Sequence, residues 1–243
     1  MKYNCAAAKA DIGLSLELLT KVGVVRSPVY PELLSAMVSP CQPCTKDAKK
    51  DCTGWRVDIR PEQPIEFALT TYRNRPVRVE LSARCSFQRS ARQSDLEWET
   101  APCAESSVAV VIFVDDEDQP AERHHLDFAE PGQAGPMWHL QAGGNPPGYD
   151  KFKTTWLKVP RWPMPPADFL LVAEIIVMNL YESEWRELRE NGQWTHLVQR
   201  SEDLLLACYE RHLTRYLNQG QAGQRVGTWL DMQGEDTWPC RAS

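Results

Sequence analysis

The sequence predicts an α+β protein: an antiparallel sheet in the middle of the chain, packed by C-terminal helices, with a short helical N-terminal region before it. Three observations predict this. Strand patterns succeed one another between residues 77 and 142, with turn-like breaks between them. Helical patterns lie before and after that region and never between its strands, so no βαβ alternation calls for a parallel sheet. The chain has 243 residues, 42% of them hydrophobic, enough to bury one substantial core. The expected division is a helical and loop region with a Cys-rich loop over 1–60, an α+β core domain over 61–220 and a tail over 221–243.

The elements follow in order. Ile12, Leu16, Leu19 and Val22 recur at helical spacing and predict a short helix ending near Gly23. The stretch 27–40, "SPVYPELLSAMVSP", suggests a second, Pro-started turn of helix. Residues 41–52, "CQPCTKDAKKDC", are polar and lysine-rich and read as a loop. Over 77–87 the chain alternates: Val77, Val79, Leu81, Ala83, Cys85 and Phe87 point one way, Arg78, Glu80, Ser82, Arg84 and Ser86 the other. "SSVAVVIFV" (106–114) is apolar enough for a central strand covered on both faces, and "DDEDQP" ends it as a turn. A Pro-rich connector, "VPRWPMPPAD" (159–168), closes the sheet region. Residues 168–191 then read as one helix stopped by Gly192, apolar in its first half and charged in its second. Residues 201–220 read as another, with Ser201 as N-cap and Gly220 at its end. Residues 221–243 show no periodicity.

The stretch 123–144, "RHHLDFAEPGQAGPMWHLQAGG", holds three of the five histidines. Folded as a hairpin about Gln133, it places Asp127 opposite His139 and His125 opposite Gln141. Arg123, His125 and Asp127 then share a polar face with His139 and Gln141, while Leu126, Phe128, Trp138 and Leu140 form the core side. A carboxylate between two imidazoles suits general acid–base chemistry, as in metal-independent RNA cleavage, with His125, Asp127 and His139 as candidate catalytic residues. The same three groups suit a divalent metal. An ordinary solvated sheet face with one ion pair also fits the pattern.

The order "LDF", "HLQAGG", "PRWPMPP" and an apolar helix running into "NLYESEW" resembles an uncharacterised bacterial family found near defence and mobile-element genes. The matching positions are Asp127, His139, Gly143, Arg161, Pro163, Tyr181 and Trp185, within residues 120–190. Gln141 stands where the family pattern has a second histidine. The resemblance implies a place in a defence or toxin–antitoxin-like system, and it carries no chemistry of its own.

Three further features are candidates. Cys41, Cys44 and Cys52 make one metal-type Cys-x-x-Cys pair with a third thiol nearby; zinc would take a fourth ligand from Cys5, Cys85 or a histidine, and free thiols are the alternative. Residues 73–92 carry six arginines against one glutamate, with Arg78 and Arg84 on one strand face, where they would contact phosphates or pair with the acidic turn at 115–118. Gln141 and Arg161 join them as candidate binding residues. Glu174 sits among Val172, Ile175, Ile176 and Val177 and needs a partner, Arg161 or a hairpin histidine. Trp156, Trp162, Trp185 and Trp194 are expected to pack the helices on the sheet.

A net charge of −6 offers no global basic field for nucleic acid. No stretch reaches the roughly 18 apolar residues of a membrane span, no secretory signal is visible, and the chain reads as cytoplasmic. GxGxxG, P-loop, GxSxG and HExxH patterns do not occur. The function expected is a cytoplasmic interaction or adaptor protein of a bacterial defence or toxin–antitoxin-like system. It would bind a partner protein, with nucleic acid as a second partner and zinc in the cysteine loop. The alternative is a small ribonuclease-type effector using His125, Asp127 and His139.

Overall fold

The computed structural model describes residues 5–26, 34, 37–40, 55–87, 103–115, 120–128, 138–143 and 162–219. Among these, strands β1 (Val38–Pro40), β2 (Trp55–Ile59), β5 (Arg75–Phe87), β6 (Cys103–Val114), β7 (Glu122–Phe128), β8 (Trp138–Ala142) and β9 (Trp162–Pro163) lie side by side in the order β1-β2-β5-β6-β7-β8-β9. Two short strands, β3 (Ile65–Glu66) and β4 (Thr70–Tyr72), pair with the length of β5 that β2 leaves open. Every pairing is antiparallel. Helix α1 (Cys5–Lys21) precedes the sheet, and α2 (Phe169–Leu180), α3 (Glu182–Glu190) and α4 (Gly192–Gln219) follow it. The predicted α+β class is therefore the observed one, with C-terminal helices packed on a mid-chain antiparallel sheet.

The alternation read from β5 sets the core. Val77, Val79, Leu81, Ala83, Cys85 and Phe87 are all buried. Beside them on the same face lie Trp55, Val57 and Ile59 of β2, Val108 and Val110 of β6, Leu126 and Phe128 of β7 and Trp138 of β8. Leu16 and Leu19 of α1, Val172, Ala173, Ile176 and Val177 of α2, and Trp194, Leu197 and Leu205 of α4 complete this one core. Each fully buried aliphatic side chain contributes about 1.5–3 kcal/mol.

The C-terminal helices depart from the sequence reading at three points. The predicted helix over 168–191 is broken at Tyr181, whose backbone leaves helical geometry (φ −132°, ψ 60°). The break is made by tertiary contact, since Tyr181 is buried and its hydroxyl donates to the carbonyl of Ala68 beside β3. Gly192 does not stop a helix but opens α4, because the Asn191 side chain accepts the N–H of Gln193 at 2.9 Å and so caps the next helix. Ser201 is not a cap either. It lies inside α4, buried, and donates to Asp168, which caps α2 by accepting from Leu170 and Leu171. No helix among the described residues is long and apolar enough to cross a membrane.

Candidate functional site

Cross-strand register assembles the site. On the sheet face turned away from the core, one row runs Asp58, Arg84, Ser107, Asp127, His139, Pro163 across β2, β5, β6, β7, β8 and β9. The next row reads Ser82, Ala109, His125, Gln141, and the one after it Glu80, Val111, Arg123. The hairpin expectation holds residue for residue: Asp127 pairs with His139, His125 with Gln141, Leu126 with Leu140 and Phe128 with Trp138.

Asp127 is the focus. Its Oδ1 accepts the Ser107 hydroxyl at 2.6 Å. Its Oδ2 faces the Nε2 atoms of His125 at 3.6 Å and of His139 at 4.0 Å, so two imidazoles converge on one oxygen. The neighbours of Asp127 and His125 on β6 are the small residues Ser107 and Ala109. The face is not the solvated surface expected from its polarity. The His139 side chain is 1% exposed, that of His125 14% and that of Asp127 26%. Phe113, on the same face, is buried under the guanidinium of Arg78, 3.8 Å from its ring centroid.

Such a cluster sets two imidazoles and a carboxylate within reach of one another, the groups that general acid–base chemistry uses. Its Nε2–Oδ2 gaps are wider than the ~3.4 Å edge that tetrahedral bonds of ~2.1 Å would give. Among the described residues, no group of three or more His, Cys, Asp or Glu side chains is placed to hold a metal ion.

Other predicted residues scatter. Arg78 pairs with Glu80 and stacks on Phe113, so it is used within the protein. Burial pushes the Glu80 carboxyl above the usual range, with Arg78 opposing the shift. Arg84 remains about half exposed, 3.8 Å from Asp58. The acidic turn does receive an arginine, but it is Arg75, which binds Asp115. Arg161, Trp156 and the cysteines Cys41, Cys44 and Cys52 lie outside the described residues; Pro40 and Trp55, described on either side of the cysteines, pair with each other. Cys85 is buried in the core, its Sγ 3.5 Å from the Ser106 hydroxyl.

Glu174 finds neither Arg161 nor a histidine. Its Oε1 accepts the indole N–H of Trp185 at 2.9 Å and its Oε2 that of Trp194 at 2.7 Å, with Arg189 at 3.4 Å. The group ties α2, α3 and α4 together. Trp194 packs as expected, whereas Trp162 is 61% exposed.

A cavity of about 40 Å³ lies on the core side between α1, the sheet and α2, with Ser15, Cys85, Asp168 and Ser201 in its wall. That is room for a water molecule or two. Burial pushes the Asp168 carboxyl up, opposed by the hydrogen bonds from Ser201, Leu171 and Leu170.

Sequence reasoning missed Ser107 and gave Arg123 no role. Ser107 was hidden in a run that looked uniformly apolar. Its partner depends on the β6–β7 register, which no turn signature in the sequence specifies.

Comparison with known proteins gave no match to a family model, a curated protein or a solved structure.

Proposed function

We propose that the chain is a cytoplasmic interaction protein that docks a partner protein through the outer surface of α2, in a bacterial defence or toxin–antitoxin-like system. The observation that carries this reading is the outward stripe of that helix. Leu171, Ile175 and Met178 follow at i, i+4, i+7, and Ile175 and Met178 are 43% and 45% exposed. The only charged side chain of α2, Glu174, is turned to the indoles of Trp185 and Trp194. Thr70 Oγ1 donates to the carbonyl of Leu180, which sets exposed Leu69 and Tyr72 at the end of the same helix. Apolar surface gathered in one place supports a partner site better than single exposed side chains do. The experiment is recovery of tagged chain with its bound proteins from a bacterial host. A stoichiometric partner lost from Ile175→Asp/Met178→Asp, with the fold intact, supports the reading; identical recovery from both proteins overturns it.

The convergence of His125 and His139 on Asp127 favours a second reading, a ribonuclease-type effector. One imidazole would take the proton of a 2′-hydroxyl, and the other would protonate the leaving 5′-oxygen as the cyclic 2′,3′-phosphate forms. Labelled RNA incubated with the protein across neutral and mildly acidic pH tests it. Cyclic phosphate ends that vanish with His125→Ala support it, and intact RNA in the wild type removes it.

A further inference from the structure

We propose that the outer sheet face carries a phosphate-binding notch anchored by Arg123 and flanked by His125. The proposal is independent of the α2 surface, and it stands whether or not a phosphodiester is cleaved.

Arg123 is the observation. It lies on β7 with His125 and Asp127 on the same face, and it is only partly exposed. Its Nε is buried, and no hydrogen bond reaches it. A guanidinium N–H withdrawn from water without an acceptor is costly, and arginine N–H groups in such places are ordinarily paired. The nearby acids are engaged. Asp127 has one oxygen on Ser107 and the other facing two imidazoles, and Glu80, across Val111, binds Arg78. Burial lowers the Arg123 pKa, with the charge of Asp127 opposing the shift. An external anion bound at the partly exposed remainder of the guanidinium would balance its charge.

The surroundings fit one kind of anion. On one side Arg123 is next to Val111, which offers no competing polar group. On the other the chain reaches Gly143, whose N–H donates to the Arg123 carbonyl at 2.8 Å and which contributes no side chain. In the adjoining row His125 stands beside Gln141. Arginine's fork of N–H donors matches the paired oxygens of a phosphate, and an imidazole that takes up a proton adds to the same charge. With Asp127 as the one negative charge set among Arg123, His125 and His139, the notch becomes net positive when either imidazole is protonated.

The test is titration of inorganic phosphate into isotope-labelled protein at low salt, following the Arg123 Nε–H and His125 ring resonances. A saturable shift of both is expected. A short single-stranded uridine oligonucleotide run in parallel separates the sources: the same resonances moving at lower concentration assign a phosphodiester, and a response to phosphate alone assigns a free phosphate or monoester. Arg123→Gln is expected to weaken binding by roughly tenfold or more, the worth of a charge-assisted hydrogen bond. Arg186→Gln, on the exposed surface of α3, should leave it unchanged. If Arg123→Gln does not fold, Arg123→Lys keeps the charge and loses the fork, and weaker binding is expected there too. No saturable shift in the wild type, or undiminished binding in a folded Arg123 variant, overturns the proposal.

Discussion

Trp194 donates its indole N–H to Glu174 across the α2–α4 contact, and Trp185 donates to the other oxygen of the same carboxylate. Trp194 is fully buried, so its N–H has no water to turn to. Glu174→Leu removes both acceptors at once. We expect a loss of roughly 3 kcal/mol in chemical denaturation, since a buried donor left unmade costs about 1–3 kcal/mol. Glu174→Gln keeps one acceptor and should lose about half of that. A cost below ~1 kcal/mol for the leucine variant would show that the helices do not depend on this carboxylate.

Asp168 gives a pH prediction. Its carboxyl titrates above the ordinary range in the folded protein because it is buried. The folded state therefore holds a proton that the unfolded chain has released. The stabilisation is complete below the unfolded carboxylate pKa, near ~3.9, and is lost as pH rises through the higher folded value. Asp168→Asn keeps an oxygen for Leu170 and Leu171 and cannot ionise, so its stability should change less over that range. Asp168→Ala loses the cap and should cost about 1–2 kcal/mol. Denaturation midpoints at a series of pH values decide; parallel curves for wild type and Asp168→Asn would refute the assignment.

His139 and His125 should respond differently to truncation. His139 is 2% exposed and fills space on the outer sheet face, so His139→Ala is expected to cost about 1–3 kcal/mol. His125 is more open and should cost less. The polarity of the hairpin strand alone would have made His139 a surface residue whose loss the fold ignores. Thermal unfolding of the two alanine variants separates these expectations.

Arg78 and Arg84, on the same face of β5, should also part company. Arg78→Ala strips the cover from Phe113 and is expected to cost about 1 kcal/mol. Arg84→Ala should be neutral in stability. Any nucleic-acid binding that depends on this strand should thus show its salt slope change with Arg84 and not specifically with Arg78. The measurement is binding to single-stranded RNA over a range of salt.

If Cys41, Cys44 and Cys52 hold zinc, purified protein should carry about one metal per chain. Cys44→Ser should lose it. Metal analysis of protein prepared without chelators is the check, and a metal-free wild type removes zinc from this loop.

Much of the sheet was legible because strand alternation is a local property. The facing sets of β5 and the pairing of Asp127 with His139 follow from period-two patterning and a loop that can be centred on one residue, and the central place of β6 follows from its continuous apolar run. The helix boundaries were not legible, because they are set from elsewhere. Tyr181 ends α2 through a hydrogen bond to Ala68, 113 residues away in sequence, and Ser201, which resembles a cap, serves Asp168 inside the core. Depth was hidden for the same reason. Nothing in "WHLQA" distinguishes a polar face open to water from one that is covered, and so the burial of His139 was not foreseen.

The two ends of the strand path are both short, and both finish in proline: β1 at Pro40 and β9 at Pro163. Proline has no N–H with which to recruit another strand. Just past the end of β3, Phe67 is bridged by Val25. Among the described residues, these two margins offer little backbone for a neighbour's strand to pair with. Contact between molecules at such margins would then fall to side chains, where sequence can set specificity, more than to backbone pairing, which any extended peptide can offer.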